Sequence, residues 1–517
     1  MRITIDGCNV REKSEKSSRA NYCFAGLLVL IAVFYIGTVR AGHLWADDFA
    51  MYVHHAQNIV EGQPYAATGY IYNARVQAYS PGMYPPVFPL LLAPLYKFFG
   101  LNLLPMKREQ VVFFLLTLVA VFVCWGRDLG AGYALALIAI FGFSPVFWTA
   151  KDSVLSDLPF MMFFYGAAVI AQRAPSFGSK WWLWAILLGV TVYAALGTRV
   201  AGIALIAGLV LYDLLQHRKI TRFTGVAVAA CFALFLLQGR LTGPAPGGYM
   251  EQVRAITAHT IVFNLAGYTR VLAGFWVASV RNGFSLVVLA IVAPLIIAGI
   301  YFRHKSGFTM IEALLAPYIG LLLLWPYFAG VRAVFPVIPW MVFLALTGLG
   351  KISESVAPRY AAAAAWGLLL ILAVPFAEGY RSLDFGPIRE NQGLPEFKQL
   401  CEAVRHQTAA SDVFIYYRAR ALSLYTGRQA STYNHRGTEA ELKDYLPKIH
   451  AAYLVTTDAF DDDHGFLKRY VQDHADDVDL TYQNAMFRMY RIRGAAETAN
   501  APDPPRNPKQ PASAIVK

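Results

Sequence analysis

The sequence predicts an all-α polytopic membrane domain followed by a small soluble C-terminal α/β domain. Of 517 residues, 56% are hydrophobic and only 15% are charged, and the mean hydropathy is +0.42. Soluble chains carry about 25% charged residues. So large an apolar excess does not fit inside one water-soluble core. It is instead divided into runs that are long enough to cross a bilayer as helices, which excludes a disordered or fibrous protein.

The apolar runs predict about eleven spans, with ten to thirteen admissible. The first run, 22–39, follows a polar basic segment, 1–21, and no clear cleavage site follows it. We interpret it as an uncleaved span with a cytoplasmic N-terminus. The stretch 84–99 is short and contains four prolines, which favours a re-entrant or interfacial segment. The remaining predicted spans are 110–125, 130–149, 157–172, 181–197, 200–216, 222–238, 284–302, 309–328, 334–349 and 360–378.

The net charge of +12 comes from Lys and Arg clusters between the apolar runs. Such clusters are typical of cytoplasmic loops in polytopic proteins, so nucleic acid is not an expected partner. The resulting topology predicts a multi-pass inner (plasma) membrane protein with two large external loops. The predicted divisions are a cytoplasmic segment 1–21, a membrane domain 22–378 with external loops 43–108 and 239–283, an external (periplasmic) domain 379–493 and a disordered tail 494–517.

The region 379–493 differs in composition from the membrane domain. It carries 15 Lys and Arg against 16 Asp and Glu. Strand-like and helical patterns alternate along it, which predicts a small α/β domain. The predicted strands are Val413–Tyr417, Ala452–Thr456 and Phe487–Ile492, and the predicted helices are Pro395–Thr408, Glu439–Leu446 and Phe466–Ala475.

Two adjacent carboxylates, Asp47 and Asp48, follow the first predicted span. The amphipathic pattern from Phe49 to Val60 predicts a helix that ends at Gly62. Carboxylates beside a membrane are costly, and general-base work for at least one of them is the expectation that a family resemblance adds. The alternative is that one caps the helix while the other is a solvated charge.

Four further charged residues are predicted to lie on the same external side. Asp152 and Asp157 stand at the mouth of a span and are candidate substrate-binding residues, or simply parts of a surface loop. Arg199 and Arg332 interrupt apolar surroundings, and an arginine fork suits a phosphate or a carboxylate. Snorkelling, or a structural pair with an aspartate, is the alternative for each. Tyr84 belongs to a set of loop tyrosines that either contact a sugar or form an interfacial aromatic belt.

The order of these motifs resembles the GT-C glycosyltransferases over residues 20–380. The resemblance rests on the acidic pair, the helix ending in glycine, Tyr-Pro-Pro-x-x-Pro-Leu-Leu, Ser-Pro…Asp-Ser-Val-Leu-Ser-Asp-Leu-Pro and Arg-x-x-x-Pro-x-x-Pro. Protein mannosyltransferases, lipid A aminoarabinose transferases and lipopolysaccharide-core transferases look most similar. Two departures are Asp47-Asp48, where relatives often have Asp-Glu, and Arg332-Ala333, where many have Arg-Tyr. The second removes a contact to sugar or phosphate.

The resemblance implies an inverting hexosyl- or pentosyltransferase that moves a sugar from a polyprenyl phosphate to an envelope hydroxyl. The expected acceptor is lipid, lipopolysaccharide, polysaccharide or protein. By this analogy Asp47 is the expected base, Asp48 orients it, and Arg199 and Arg332 bind the donor phosphate. No cofactor is certain, and a divalent metal ion is an alternative source of charge stabilisation. Two other functions remain open, a transporter or flippase of lipid-linked sugars and a non-enzymatic envelope assembly protein.

Overall fold

The computed structural model describes residues 6–44, 47–76, 82–243, 256–277, 283–305, 307–388, 392–458 and 463–494. The tail predicted at 494–517 lies outside these residues beyond Gly494, as do 244–255 and 278–282 of the second predicted loop. The described residues form two compact units. The first draws on the described parts of Met1–Val39, Lys107–Leu237 and Ala255–Phe385, and the second draws on the described parts of Arg40–Met106, Gln238–Arg254 and Gly386–Lys517.

Helices dominate the described residues. In chain order they are α1 Asp6–Gly37, α2 Asp48–Glu61, α3 Val87–Phe99, α4 Leu103–Leu129, α5 Ala131–Gly142, α6 Pro145–Ala150, α7 Asp157–Gln172, α8 Trp181–Leu196, α9 Ile203–His217, α10 Arg222–Thr242, α11 Ala258–Trp276, α12 Gly283–Lys305, α13 Met310–Leu324, α14 Ile338–Val356, α15 Ala361–Arg381, α16 Pro395–Gln407, α17 Ala419–Thr426, α18 Glu439–Lys448 and α19 Phe466–Asp473.

Seven of these described helices are long and apolar enough to cross a membrane, namely α1, α4, α8, α9, α10, α12 and α15. The helices α3, α5, α7 and α13 are apolar but shorter. Large apolar side chains point outward from the long helices, for example Trp182, Phe232, Ile297 and Leu370. Such a surface suits lipid rather than water. The prediction of a multi-pass helical membrane protein is therefore confirmed. Each of the eleven predicted runs contains a helix, and the count of eleven spans stays a prediction.

One predicted run, 130–149, is wrong as a single helix. It divides into α5 and α6 at Ser144 and Pro145. Proline cannot continue the preceding helix, but it fits the first turn of the next one. Ser144 then caps α6, because its hydroxyl accepts a hydrogen bond from the Val146 N–H at 3.3 Å.

Close helix packing in the first unit depends on glycine. A Cβ atom added at Gly348 of α14 would run into the Leu295 carbonyl oxygen of α12, and one added at Gly299 of α12 would run into the Leu344 carbonyl oxygen of α14. The two backbones therefore approach closely only because neither position carries a side chain, as at other helix contacts in membranes.

The second unit contains a six-stranded sheet. Its strands are β1 Tyr70–Ile71, β2 Val413–Ile415, β3 Gln429–Ser431, β4 Ala451–Thr457, β5 Val478–Gln483 and β6 Phe487–Ile492, in the spatial order β1-β3-β2-β4-β6-β5. The first four strands in that order are parallel, and β6 and β5 are antiparallel to their neighbours. The α/β character predicted for 379–493 is confirmed, since the three predicted strands and the three predicted helices are all present.

The first loop contributes to this sheet. Tyr70 pairs with Ala430 and Ile71 with Ser431, so β1 extends the parallel part of the sheet at β3. Beyond β1, the Asn73 side-chain amide donates to the Thr432 carbonyl at 2.9 Å. These contacts join the loop between α2 and α3 to strand β3 and to Thr432, which lies 359 residues after Asn73 in the sequence.

Candidate active site

The two carboxylates of the acidic pair, Asp47 and Asp48, have different surroundings. Asp47 is 7% exposed, whereas the Asp48 side chain is 33% exposed. Asp47 occupies the N-cap position of α2, yet its side chain makes no capping hydrogen bond there. Of the two aspartates, Asp47 therefore does not cap α2 with its side chain. The helix itself ends as predicted, because Gly62 adopts φ 67° and its N–H bonds to the Asn58 carbonyl.

Asp47 instead binds the first turn of α17. Its Oδ1 accepts a hydrogen bond from the Ala421 N–H at 2.9 Å, and its Oδ2 accepts one from the Arg420 N–H at 3.2 Å. These N–H groups have no partner within their own helix, and a carboxylate there also interacts favourably with the helix dipole. Burial raises the pKa of Asp47, and the charge of Arg420 and the two N–H groups offset part of that rise.

Arg420 connects the acidic pair, because its backbone N–H binds Asp47 and its side chain binds Asp48. Its Nη1 donates to Asp48 Oδ1 at 3.1 Å and to the Tyr84 hydroxyl at 3.2 Å. The Tyr84 hydroxyl in turn donates to Asp48 Oδ1 at 2.8 Å. The guanidinium carbon also lies 4.7 Å from the ring centre of Tyr70, within cation–π range. We call Asp47, Asp48, Tyr84 and Arg420 the acidic network.

Two ring side chains of α2 fix the position of Tyr84. His55 is fully buried, and its Nε2 accepts a hydrogen bond from the Tyr84 N–H at 3.3 Å. Its Nδ1 lies 2.8 Å from the Tyr65 carbonyl, so the neutral imidazole carries its proton on Nδ1. Burial lowers the pKa of His55 to about 3. Tyr52 stacks on the Tyr84 ring with centroids 4.4 Å apart. Tyr84, a predicted sugar contact, is therefore held inside the acidic network.

The first unit contains a second charged group, the arginine cluster of Asp157, Arg199 and Arg332. Arg199 Nη1 forms an ion pair with Asp157 Oδ1, and Arg332 Nη1 lies 3.5 Å from Asp157 Oδ2. Asp157 is buried at the first turn of α7, while the Arg332 side chain is 43% exposed. Two guanidinium groups thus contact the Asp157 carboxylate, one at each oxygen. The pairing of each arginine with an aspartate was one of the two predicted alternatives.

Asp152 forms an ion pair with its neighbour in the chain, Lys151. Its Oδ2 accepts from Lys151 Nζ at 2.9 Å, and both side chains are buried. The ammonium group also lies 3.7 Å from the centre of the Trp148 ring. Asp152 is therefore a buried carboxylate paired with a buried ammonium group, and its contact with substrate stays a prediction.

The acidic pair does not fit a bound divalent ion. Among the described residues, no group of three His, Cys, Asp or Glu side chains is arranged to hold a metal. In addition, both Asp47 oxygens and Asp48 Oδ1 already accept hydrogen bonds from Arg420, Ala421 and Tyr84. A divalent ion that used these oxygens as ligands would have to displace those donors, and the Arg420 guanidinium would repel it.

The fold is similar to that of solved membrane glycosyltransferases. ArnT from Cupriavidus metallidurans in the apo state matches with a TM-score of 0.55 at 13% identity, over 92% of this chain and 98% of that one. The same ArnT bound to undecaprenyl phosphate matches with a TM-score of 0.51 at 14% identity and the same coverage. The archaeal oligosaccharyltransferase AglB from Archaeoglobus fulgidus, in complex with an inhibitory peptide and a dolichol-phosphate, matches with a TM-score of 0.54 at 12% identity, over 84% of this chain and 69% of that one.

These neighbours are GT-C glycosyltransferases, so the fold expected from the motif order is confirmed. The chain is a multi-pass membrane protein with a GT-C fold. No protein-family model and no curated protein sequence matches it.

Proposed function

We propose that the protein is an inverting membrane glycosyltransferase that uses a polyprenyl-phosphate-linked sugar. The observation that carries this proposal is an acidic pair, held by Arg420 and α17, on the first loop of a chain with a GT-C fold. The acceptor is a hydroxyl of an envelope molecule, and the sugar is a hexose or a pentose. Transfer takes place on the outer face of the inner membrane, where the α/β domain also lies.

Asp48 is the better general base of the pair. Both Asp47 oxygens are engaged by backbone N–H groups of α17, and the residue is nearly buried. The Asp48 side chain is one-third exposed, and Arg420 and Tyr84 hold its Oδ1. In the reaction Asp48 takes the proton of the acceptor hydroxyl as that oxygen attacks C1 of the sugar. Asp47 binds the backbone of Arg420, whose side chain positions Asp48. The two carboxylates thus exchange the roles expected from the sequence.

Arg199 and Arg332 are the proposed contacts of the donor phosphate. The leaving group is a polyprenyl phosphate, which departs as an anion and needs no strong general acid. Guanidinium groups bind such oxygens through two parallel hydrogen bonds and stabilise the charge that grows as the C1–O bond breaks. The exposure of Arg332 supports this role, and the shared contact with Asp157 places both guanidinium groups together.

The test is sugar transfer by purified protein in lipid vesicles. Wild type, Asp48→Asn and Asp47→Asn meet a panel of polyprenyl-phosphate sugars with mixed envelope acceptors, and released polyprenyl phosphate is measured. We expect Asp48→Asn to lower turnover by roughly 10²–10⁴-fold, the usual contribution of a general base. The exposed Asp444→Asn variant is the control for loss of one carboxylate. Movement of intact donor across the bilayer without release would instead favour a transporter.

A further inference from the structure

Arg420 stands where a cation would be needed at the acidic pair. Its guanidinium lies 3.1 Å from Asp48 Oδ1, its own N–H binds Asp47, and the residue is only 3% exposed. Two adjacent carboxylates in a partly buried loop repel each other, and a positive charge within hydrogen-bonding distance relieves that repulsion. In many sites of this kind the positive charge is a divalent ion bound by the carboxylates.

Groups from the sheet and from the first loop surround Arg420. Its helix, α17, connects β2 to β3 along the chain, and β3 pairs with β1 of the first loop. The Tyr70 ring of β1 covers the guanidinium from one side, and the Tyr84 hydroxyl accepts from it. The cation is therefore part of the fold of the second unit, and it is supplied by the C-terminal α/β domain to the loop that carries the acidic pair.

We propose that the Arg420 guanidinium takes the place of a divalent metal ion at Asp47 and Asp48, so that this pair works without binding a metal. The proposal deepens the transferase function proposed above, in which Asp48 is the base. In that reaction Arg420 is a positioning residue, because it touches Asp48 and Tyr84 rather than the sugar. It orients Asp48 through the 3.1 Å hydrogen bond to Oδ1, and the exposed part of the Asp48 side chain meets the acceptor.

The test measures Mn²⁺ binding directly, by electron paramagnetic resonance and by the effect of Mn²⁺ on the thermal unfolding temperature. Full-length wild type, Arg420→Gln and Arg420→Lys are compared. Arg420→Gln keeps a side-chain donor but loses the charge, and we expect it to bind Mn²⁺ at least about tenfold more tightly than wild type. Arg420→Lys keeps the charge and should bind no better than wild type. Arg428→Ala, which removes a guanidinium that bonds the Arg405 and Thr408 carbonyls, is the matched control and should gain no binding.

Two results would overturn the proposal. One is Mn²⁺ binding by wild type that Asp48→Asn abolishes, which requires no Arg420 variant to fold. The other is a folded Arg420→Gln protein that binds Mn²⁺ no better than wild type. Because these readouts are equilibrium binding, an absence of sugar transfer alongside the expected binding pattern would count against the transferase function alone.

Discussion

Replacing Asp47 by asparagine should destabilise the second unit, because this carboxylate serves α17 rather than α2. Both of its oxygens accept backbone N–H groups, from Arg420 and from Ala421. An asparagine side chain keeps one acceptor oxygen and presents an NH₂ group to the other buried N–H. One backbone donor of α17 thereby loses its partner, and the helix N-terminus loses the negative charge beside it.

The magnitude follows from these two losses. A hydrogen bond to a charged group contributes about 1.5–3 kcal/mol. A negative charge near a helix N-terminus contributes about 0.3–1 kcal/mol. Burial raises the pKa of Asp47, so removing its charge also relieves a desolvation cost and offsets part of the loss. We therefore expect a net destabilisation of about 2 kcal/mol, which corresponds to a decrease of roughly 5 °C in unfolding temperature.

The assay is thermal unfolding of purified protein in detergent and in lipid, followed by intrinsic fluorescence. Asp444→Asn is the control, since Asp444 is a solvent-exposed residue whose partners are surface cations, and we expect no measurable change. An unfolding temperature of Asp47→Asn equal to that of wild type would refute the role of Asp47 as a cap for α17. Full turnover by a destabilised Asp47→Asn protein would agree with Asp48 as the base.

Three further predictions follow from the site geometry. Burial lowers the pKa of His55 from about 6.5 in the unfolded protein to about 3 in the folded protein. Between these pH values unfolding takes up a proton, so the free energy of unfolding decreases as the pH is lowered. From pH 7 to pH 5 wild type should lose about 2 kcal/mol that His55→Asn does not lose, as measured by denaturant unfolding at both pH values. Arg332→Ala should raise the KM for the lipid-linked donor about 10–100-fold with a smaller effect on the KM for acceptor, and equal effects on both would contradict phosphate binding. Lys151→Ala should cost about 3–5 kcal/mol because it leaves Asp152 as a buried carboxylate without its ammonium partner, whereas the double replacement Lys151→Met with Asp152→Leu should recover most of that loss in thermal unfolding.

Most of the helices and the strands β2, β4 and β6 were predictable because apolar periodicity reports burial locally, whereas β5 and α17 were not predicted. The run at 22–39 and the strand pattern at 452–456 each carry the signal within their own residues. Strand β3, Gln429–Ser431, has only three residues and little apolar character, so no such signal exists for it. The break at Ser144 was predictable in principle, since a Ser-Pro pair both caps a helix and prevents its continuation from the N-terminal side.

The site was only partly predictable. Asp47, Asp48, Arg199 and Arg332 could be found because charges beside apolar runs are costly and therefore conspicuous. Arg420 could not be found in this way, because it lies in the C-terminal α/β domain among many other charged residues. It is 372 positions from Asp48 in the sequence, and folding brings the two into contact. The different roles proposed for Asp47 and Asp48 were also not predictable, because the two adjacent aspartates differ only in their folded surroundings. Asp47 is bound by the backbone N–H groups of α17.

The measurement that tests the central claim most directly is release of polyprenyl phosphate from a labelled polyprenyl-phosphate sugar by purified protein in sealed vesicles. Wild type and Asp48→Asn are run together, and the folded state of both is checked by thermal unfolding. We predict release and sugar transfer by wild type and a loss of roughly 10²–10⁴-fold in the variant. Equal release by both folded proteins, or donor movement across the bilayer with no release by either, would contradict the account of this chain as a transferase whose base is Asp48.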